Sequence, residues 1–191
     1  MQCFILEVGC VTNAELLLKA VDDRLDQEVE LTLYGRAALH LGFPNPPPEY
    51  ALSRDVDAVL QIGQAEALAE HGNFWTAIED VNRLYADQEL YISHFFDESQ
   101  VILTPDWFTK RIPIIRKWRR LRLYRLGNED LFLSKLMRDD PIDRADAMFI
   151  VRVTPLSDDQ IRSAILAARV PSVPEIDEQF RICSRRFVPA S

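Results

Sequence analysis

The sequence predicts an α+β fold, a sheet flanked by helices with a helical C-terminal part. Two observations carry that prediction. Short runs of alternating or continuous apolar residues, bounded by Gly, Pro, Asn or Asp, recur along the first two thirds of the chain. Segments with apolar residues at helical spacing separate them, and beyond Asn128 only such helical segments remain.

The apolar start, Met1 to Thr12, predicts a short strand or a terminus that packs on the body. Asn13 is a candidate N-cap for a helix over Ala14 to Asp26, with Leu17, Leu18, Val21 and Leu25 at helical spacing. Glu30 to Tyr34 alternates as a half-buried strand does, and Gly35 breaks the alternation. Ala37 to Leu41 reads as a short helix stopped near Gly42. Pro44-Asn45-Pro46-Pro47-Pro48 is neither helix nor central strand. Arg54 to Leu60 is a second strand. Gln64 to Ala86 is helical with a break near His71-Gly72-Asn73, and Glu89 to Phe96 is a third strand with a turn after it at Asp97. The basic stretch Lys110 to Arg125 has a strand-like end. Helices are expected over Asn128 to Arg138 with Asn128 as N-cap, Pro141 to Arg152, Pro155 to Ala168 with Ser157 as N-cap, and Glu175 to Phe187.

With 191 residues and 48% hydrophobic content the chain can build one core, read as a domain over 1–150 and a helical extension over 151–191 packed on it. A net charge of −8 argues against broad nonspecific nucleic-acid binding and for a soluble protein. No apolar run approaches the roughly 20 residues of a membrane span, and the N-terminus lacks the basic flank of a signal peptide, so no membrane contact is expected. Cys3, Cys10 and Cys183 lack metal-ligand spacing and cannot all pair, which points to a reducing cytoplasm.

The chemistry-bearing pattern is Asp55-Val56-Asp57. On a strand the two carboxylates share one face and repel, which a hard divalent cation between them relieves. The alternative is a solvated strand end, or a pair neutralised by Arg54. His94, between Ile92 and Phe96, is either part of a semi-buried wall or a group that serves proton transfer or a softer metal. Lys135, on a helix whose neighbours face the core, reads as a lysine that snorkels to the surface toward Asp139. Asp143 and Asp146 share a helix face and favour ion pairs with Arg138 or Arg144 over a second metal site. The eight cations from Lys110 to Arg125, interleaved with Trp118 and Tyr124, suit either a nucleic-acid backbone or the chain's own acids.

The order of a strand, the Gly35 turn, a helix and the Asp-x-Asp strand resembles the nucleotidyltransferase superfamily, the polymerase-beta-like fold. Tyr124-Arg125-Leu126-Gly127-Asn128-Glu129-Asp130-Leu131 through Lys135-Leu136, and then Arg138 to Asp146, narrow the likeness. They resemble bacterial nucleotidyltransferase-like families of unknown function related to abortive-infection toxins. The resemblance covers roughly residues 15–150. It implies a nucleotidyltransferase-like mixed sheet, with Asp55 and Asp57 as catalytic residues that hold Mg²⁺. Gly35, Arg36 and Lys135 would bind the phosphates of a nucleoside triphosphate. The nucleotide would pass to a protein or an RNA such as a tRNA 3′ end, and Lys110 to Arg125 is where such an RNA would make contact. Three departures define an alternative, a catalytically degenerate binding or regulatory module of toxin–antitoxin type. The turn reads Gly35-Arg36 rather than Gly-Ser or Gly-Gly. Ile92 to Phe96 offers His94 where active members present a third carboxylate. No second glycine turn cradles the triphosphate.

Overall fold

A computed structural model describes residues 11–187. The strand or packed terminus expected before Val11 lies outside the described residues. The architecture is α+β: a five-stranded mixed sheet and, among the described residues, eight α-helices. In chain order these are α1 (Asn13–Arg24), β1 (Val29–Tyr34), α2 (Gly35–Gly42), β2 (Asp55–Leu60), α3 (Gln64–Glu70), α4 (Phe74–Leu84), β3 (Tyr91–Asp97), β4 (Ile112–Pro113), β5 (Leu121–Arg125), α5 (Asn128–Ser134), α6 (Pro141–Val153), α7 (Asp158–Ala167) and α8 (Pro174–Ser184). Short 3₁₀ turns fill several links, including Pro48–Leu52 in the proline-rich loop.

The strand order is β3-β2-β1-β5-β4. β1 runs antiparallel to β2 and parallel to β5, β2 runs parallel to β3, and β4 runs antiparallel to β5. β2 is an interior strand, and Ala58, Val59 and Leu60 are all buried, which explains why its alternation fades into a continuous apolar run. Phe95 turns to the α4 side of the sheet, where it meets Phe74 and Trp75 edge-on. Leu17, Leu31, Leu33, Phe132 and Ile150 belong to one continuous core, which Ile161 and Phe180 of the C-terminal helices join.

Element ends differ from the sequence expectation where a cap was misplaced. Thr12, not Asn13, caps α1: its hydroxyl accepts from the Glu15 backbone N–H, and the Glu15 carboxylate accepts in return from the Thr12 backbone N–H. Gly127, not Asn128, precedes α5, and the Asn128 side-chain oxygen instead accepts from Arg125 at 2.9 Å. That helix ends at Ser134 rather than Arg138. Ser157 does cap α7 through a capping box with Gln160.

The basic stretch is largely consumed inside the fold. Lys110 pairs with Asp106 and Glu129, Arg116 with Glu15, and Arg122 with Glu28. Arg111 stacks between the rings of Phe108 and Tyr124, and Arg119 donates to the carbonyls of Asp23 and Leu25. Arg125 is buried over Phe43, and burial lowers its pKa to about 10. A Cβ on Gly42 would lie only 2.2 Å from the Arg125 side chain, so glycine is what admits the guanidinium there.

Buried Asp22 of α1 fastens the start of β5. Its carboxylate accepts from the backbone N–H groups of Arg119, Arg120 and Leu121 at 2.9, 2.7 and 2.9 Å. Burial opposes its ionisation, but the three N–H groups, helped by Lys19, hold its carboxyl below the ordinary 3.8. Asp22→Ala should therefore lower unfolding free energy at pH 7 by about 3 kcal/mol. Because the folded-state pKa is depressed, the Asp22 contribution is complete above pH 3.8 and lost as pH falls through the lower folded value. Urea titrations of the two proteins should draw closer in that acidic window, by the part of the difference that depends on the ionised carboxylate.

Candidate functional site

The end of β1 and the start of β2 meet at a pocket of about 450 Å³. Tyr34, Gly35, Arg36, Ser53, Asp55 and Asp57 line it from the sheet side, with His94 and Phe96 from β3. Lys135, Arg138, Asp143 and Asp146 close it from α6 and the turn before it. The structure thus brings together Gly35, Arg36, Asp55, Asp57 and Lys135, which lie as much as 100 residues apart in sequence.

Gly35 joins β1 to α2 with φ of +69°, a conformation that a side chain disfavours. A Cβ there would sit 3.2 Å from Asp57 Oδ2. The turn therefore favours glycine, and the Asp57 carboxylate would have to give by a few tenths of an ångström to admit a Cβ. Asp55 is exposed and accepts from the Ser53 hydroxyl at 2.8 Å. Asp57 is more enclosed, its side chain 19% exposed. Burial, reinforced by the like charge of Asp55, pushes the Asp57 carboxyl above 3.8 even though His94 and Lys135 oppose the shift. Arg54, one residue off the Asp55/Asp57 face, pairs with Glu89 instead of neutralising either aspartate.

His94 reaches this face through an irregularity. Val56 aligns with Ile92, but Asp57 aligns with His94, so Ser93 is an extra residue in β3. Without it, Asp57 would neighbour Ser93. The shift puts His94 Nδ1 3.1 Å from Asp57 Oδ1. The imidazole also stacks on Phe96, and Phe96 packs edge-on against Tyr34. Across β1, β2 and β3, Tyr34, Asp57 and His94 form one row. The alternation of Ile92 to Phe96 alone does not reveal this row, because the extra residue resets it.

On the opposite wall the cations are already paired. Lys135 is 7% exposed, and its Nζ donates to Asp143 at 3.3 Å and Asp146 at 2.8 Å. It does not turn to Asp139, which is held by Arg144 and Arg186. The early end of α5 permits this, since Lys135 occupies the C-cap and its side chain turns back toward α6. Arg138 Nε donates to Asp143 at 2.8 Å. Arg36 donates to Asp146 at 3.4 and 3.5 Å and lies over the Tyr50 ring. Asp143 and Asp146 thus belong to an ion-pair network rather than standing free. The other acids of the Glu129-Asp130 stretch also serve the fold: Asp130 accepts from the backbone and hydroxyl of Thr104, and Glu129 from Lys110.

Three cations and four carboxylates line the pocket, and the pairing is uneven. Asp143 and Asp146 take up Lys135, Arg36 and Arg138, while Asp55 and Asp57 have only a hydroxyl and an imidazole. Among the described residues no three His, Cys, Asp or Glu side chains converge into a ready-made metal cage. Nor is any helix there long and apolar enough to cross a membrane.

Two stability measurements test this asymmetry. Lys135→Met leaves two buried carboxylates short of a cation and should cost about 3 kcal/mol at neutral pH, part of which Asp146→Asn in the same chain restores. Asp57→Asn should do the opposite and raise the melting temperature at pH 7. The Asp57 carboxyl is shifted up in the fold, so its ionisation costs stability as pH rises above 3.8, and the difference from the variant vanishes below that pH.

No protein-family model, curated protein or solved structure matches the chain.

Proposed function

We propose that the pocket binds a nucleoside triphosphate together with a divalent cation and that the protein is a nucleotidyltransferase acting on a protein or RNA acceptor. The observation that carries this reading is the approach of Asp57 to the Gly35 turn, close enough that a Cβ on the glycine would lie 3.2 Å from the carboxylate. It places a helix N-terminus, which attracts anions, beside an acid pair that has no strong cationic partner. Asp55 and Asp57 fit Mg²⁺, which is bound through one or two carboxylates plus substrate phosphates. Bound there, the ion would neutralise polyphosphate charge and polarise a phosphoryl oxygen.

The chain's own residues supply the rest. Gly35 leaves the backbone at the start of α2 open to a phosphate. Arg36, with its side chain 28% exposed, offers a guanidinium from the same turn. Lys135 lends positive charge from the facing wall. Tyr34, His94 and Phe96 give the pocket an aromatic side against which a base or an acceptor ring can rest. The positioning of charges in this way is the main part of phosphoryl-transfer catalysis.

A second reading, a degenerate module that binds without transferring and serves as a regulator or one half of a toxin–antitoxin pair, draws on two contacts. Arg36 is tied to Asp146, and β3 presents His94 rather than an acid beside Asp57.

Calorimetry with ATP, GTP, CTP and UTP in Mg²⁺ tests the first reading. At least one should bind in the range usual for enzyme substrates, about 1 μM to 1 mM, and Asp57→Ala should abolish the Mg²⁺-dependent part. Failure of all four, with Asp55→Ala indistinguishable from the parent, removes the reading. Binding without pyrophosphate release in the presence of protein and RNA acceptors favours the degenerate module.

A further inference from the structure

The acid pair has an unusual companion. Asp57 Oδ1 and His94 Nδ1 are 3.1 Å apart on the same wall of the pocket. Two donors bound side by side to one octahedral ion, with bonds near 2.1 Å, stand about 3.0 Å apart. The pair is hydrogen-bonded in the structure, and its spacing is also that of two ligands on one ion, so a cation could replace the shared proton with little movement of either side chain. The imidazole is also held in place before any ion arrives, since it stacks on Phe96 at 5.3 Å; an ion at Nδ1 would displace the Ser93 hydroxyl that lies 2.8 Å from the same nitrogen. The extra residue in β3 is what produces this arrangement, since it sets His94 rather than Ser93 against Asp57.

We infer that His94 is a metal ligand, and that with Asp57 it gives this pocket a preference for first-row transition ions over Mg²⁺, with Mn²⁺ as the ion that reports it. Imidazole nitrogen suits transition ions, whereas Mg²⁺ selects oxygen. Mn²⁺ accepts both carboxylate oxygen and imidazole nitrogen, so it is the probe on which the contribution of His94 can be read against Mg²⁺. Asp55 lies on the same pocket wall, within electrostatic reach of Asp57. The protein donors do not by themselves form a three-ligand cage. The remaining positions go to water or phosphate oxygens, so affinity without nucleotide is modest and selectivity resides in His94. The inference rests on the reading above, that the Asp55 and Asp57 face binds a divalent cation.

The experiment is a titration of the full chain with MnCl₂, followed by electron paramagnetic resonance, with MgCl₂ as competitor and the metals alone as probes. Carboxylate sites commonly favour Mn²⁺ somewhat, so the deciding readouts are the histidine variants and the spin-echo spectrum. Bound Mn²⁺ should show nitrogen modulation from a coordinated imidazole, and His94→Ala should remove it. The same variant should weaken Mn²⁺ binding by at least roughly tenfold, as the loss of even an outer-shell partner does, and leave Mg²⁺ binding nearly unchanged. His94→Asp should retain Mg²⁺ and lose the preference. His94 is exposed on an edge strand, so these variants fold, and circular dichroism checks that they do.

Two results overturn the inference in different ways. If Mn²⁺ and Mg²⁺ both bind, but without nitrogen modulation and with His94→Ala weakening them equally or not at all, the histidine assignment falls and the cation-binding reading stands. If neither ion binds, with ATP or without it, both fall.

Discussion

Lys135, clasped between the buried carboxylates of Asp143 and Asp146, decides the electrical character of the pocket. Isolated charges at such depth are prohibitively expensive, so the ammonium and the two acids must be buried together. Arg36 and Arg138 complete the network, which joins α2, the turn after α5 and α6 into one wall. Its consequence is felt on the other side. Because these cations are committed to their own acids, Asp55 and Asp57 keep a negative field that protein groups do not cancel. A ligand entering the pocket meets a fixed ion-pair wall on one side and an acid face in need of positive charge on the other.

That division explains why a polyphosphate would enter only with a cation. With one more carboxylate than cations in its lining, the pocket does not attract a polyanion by itself. On the proposed reading a metal–nucleotide complex would ease that repulsion, because its ion would meet Asp57 while its phosphates would meet the Gly35 turn. The raised pKa of Asp57 follows first from its burial and then from the like charge of Asp55, an arrangement tolerated at functional sites at some expense of stability.

Much of the frame was legible from periodicity and capping. The alternation of Glu30 to Tyr34, the break at Gly35 and the split of the long helical segment at His71 to Asn73 all correspond to observed boundaries or near-boundaries. Leu131, Phe132, Leu133 and Leu136 are all buried, although Leu136 lies beyond the end of α5. What periodicity could not supply was anything that depends on a register shift or an early helix end. His94 meets Asp57 only because Ser93 is an extra residue, and a pattern of period two has no mark for that. Lys135 turns toward Asp143 and Asp146 because α5 stops at Ser134, although its composition continues to favour helix. The basic stretch shows a further limit. Its charge density read equally well as a nucleic-acid surface or as a source of internal pairs, and only the tertiary positions of Glu15, Glu28, Glu30 and Glu129 distinguish the uses of individual cations.

The position of one ion is decisive. Crystals grown with a non-hydrolysable nucleoside triphosphate and Mn²⁺, measured at the manganese absorption edge, would locate it directly. An anomalous peak is expected within bonding distance of the Asp57 carboxylate, beside His94, with the phosphates against the Gly35 turn. A bound nucleotide whose metal and phosphates lie elsewhere, with Asp55 and Asp57 left facing solvent, would contradict it.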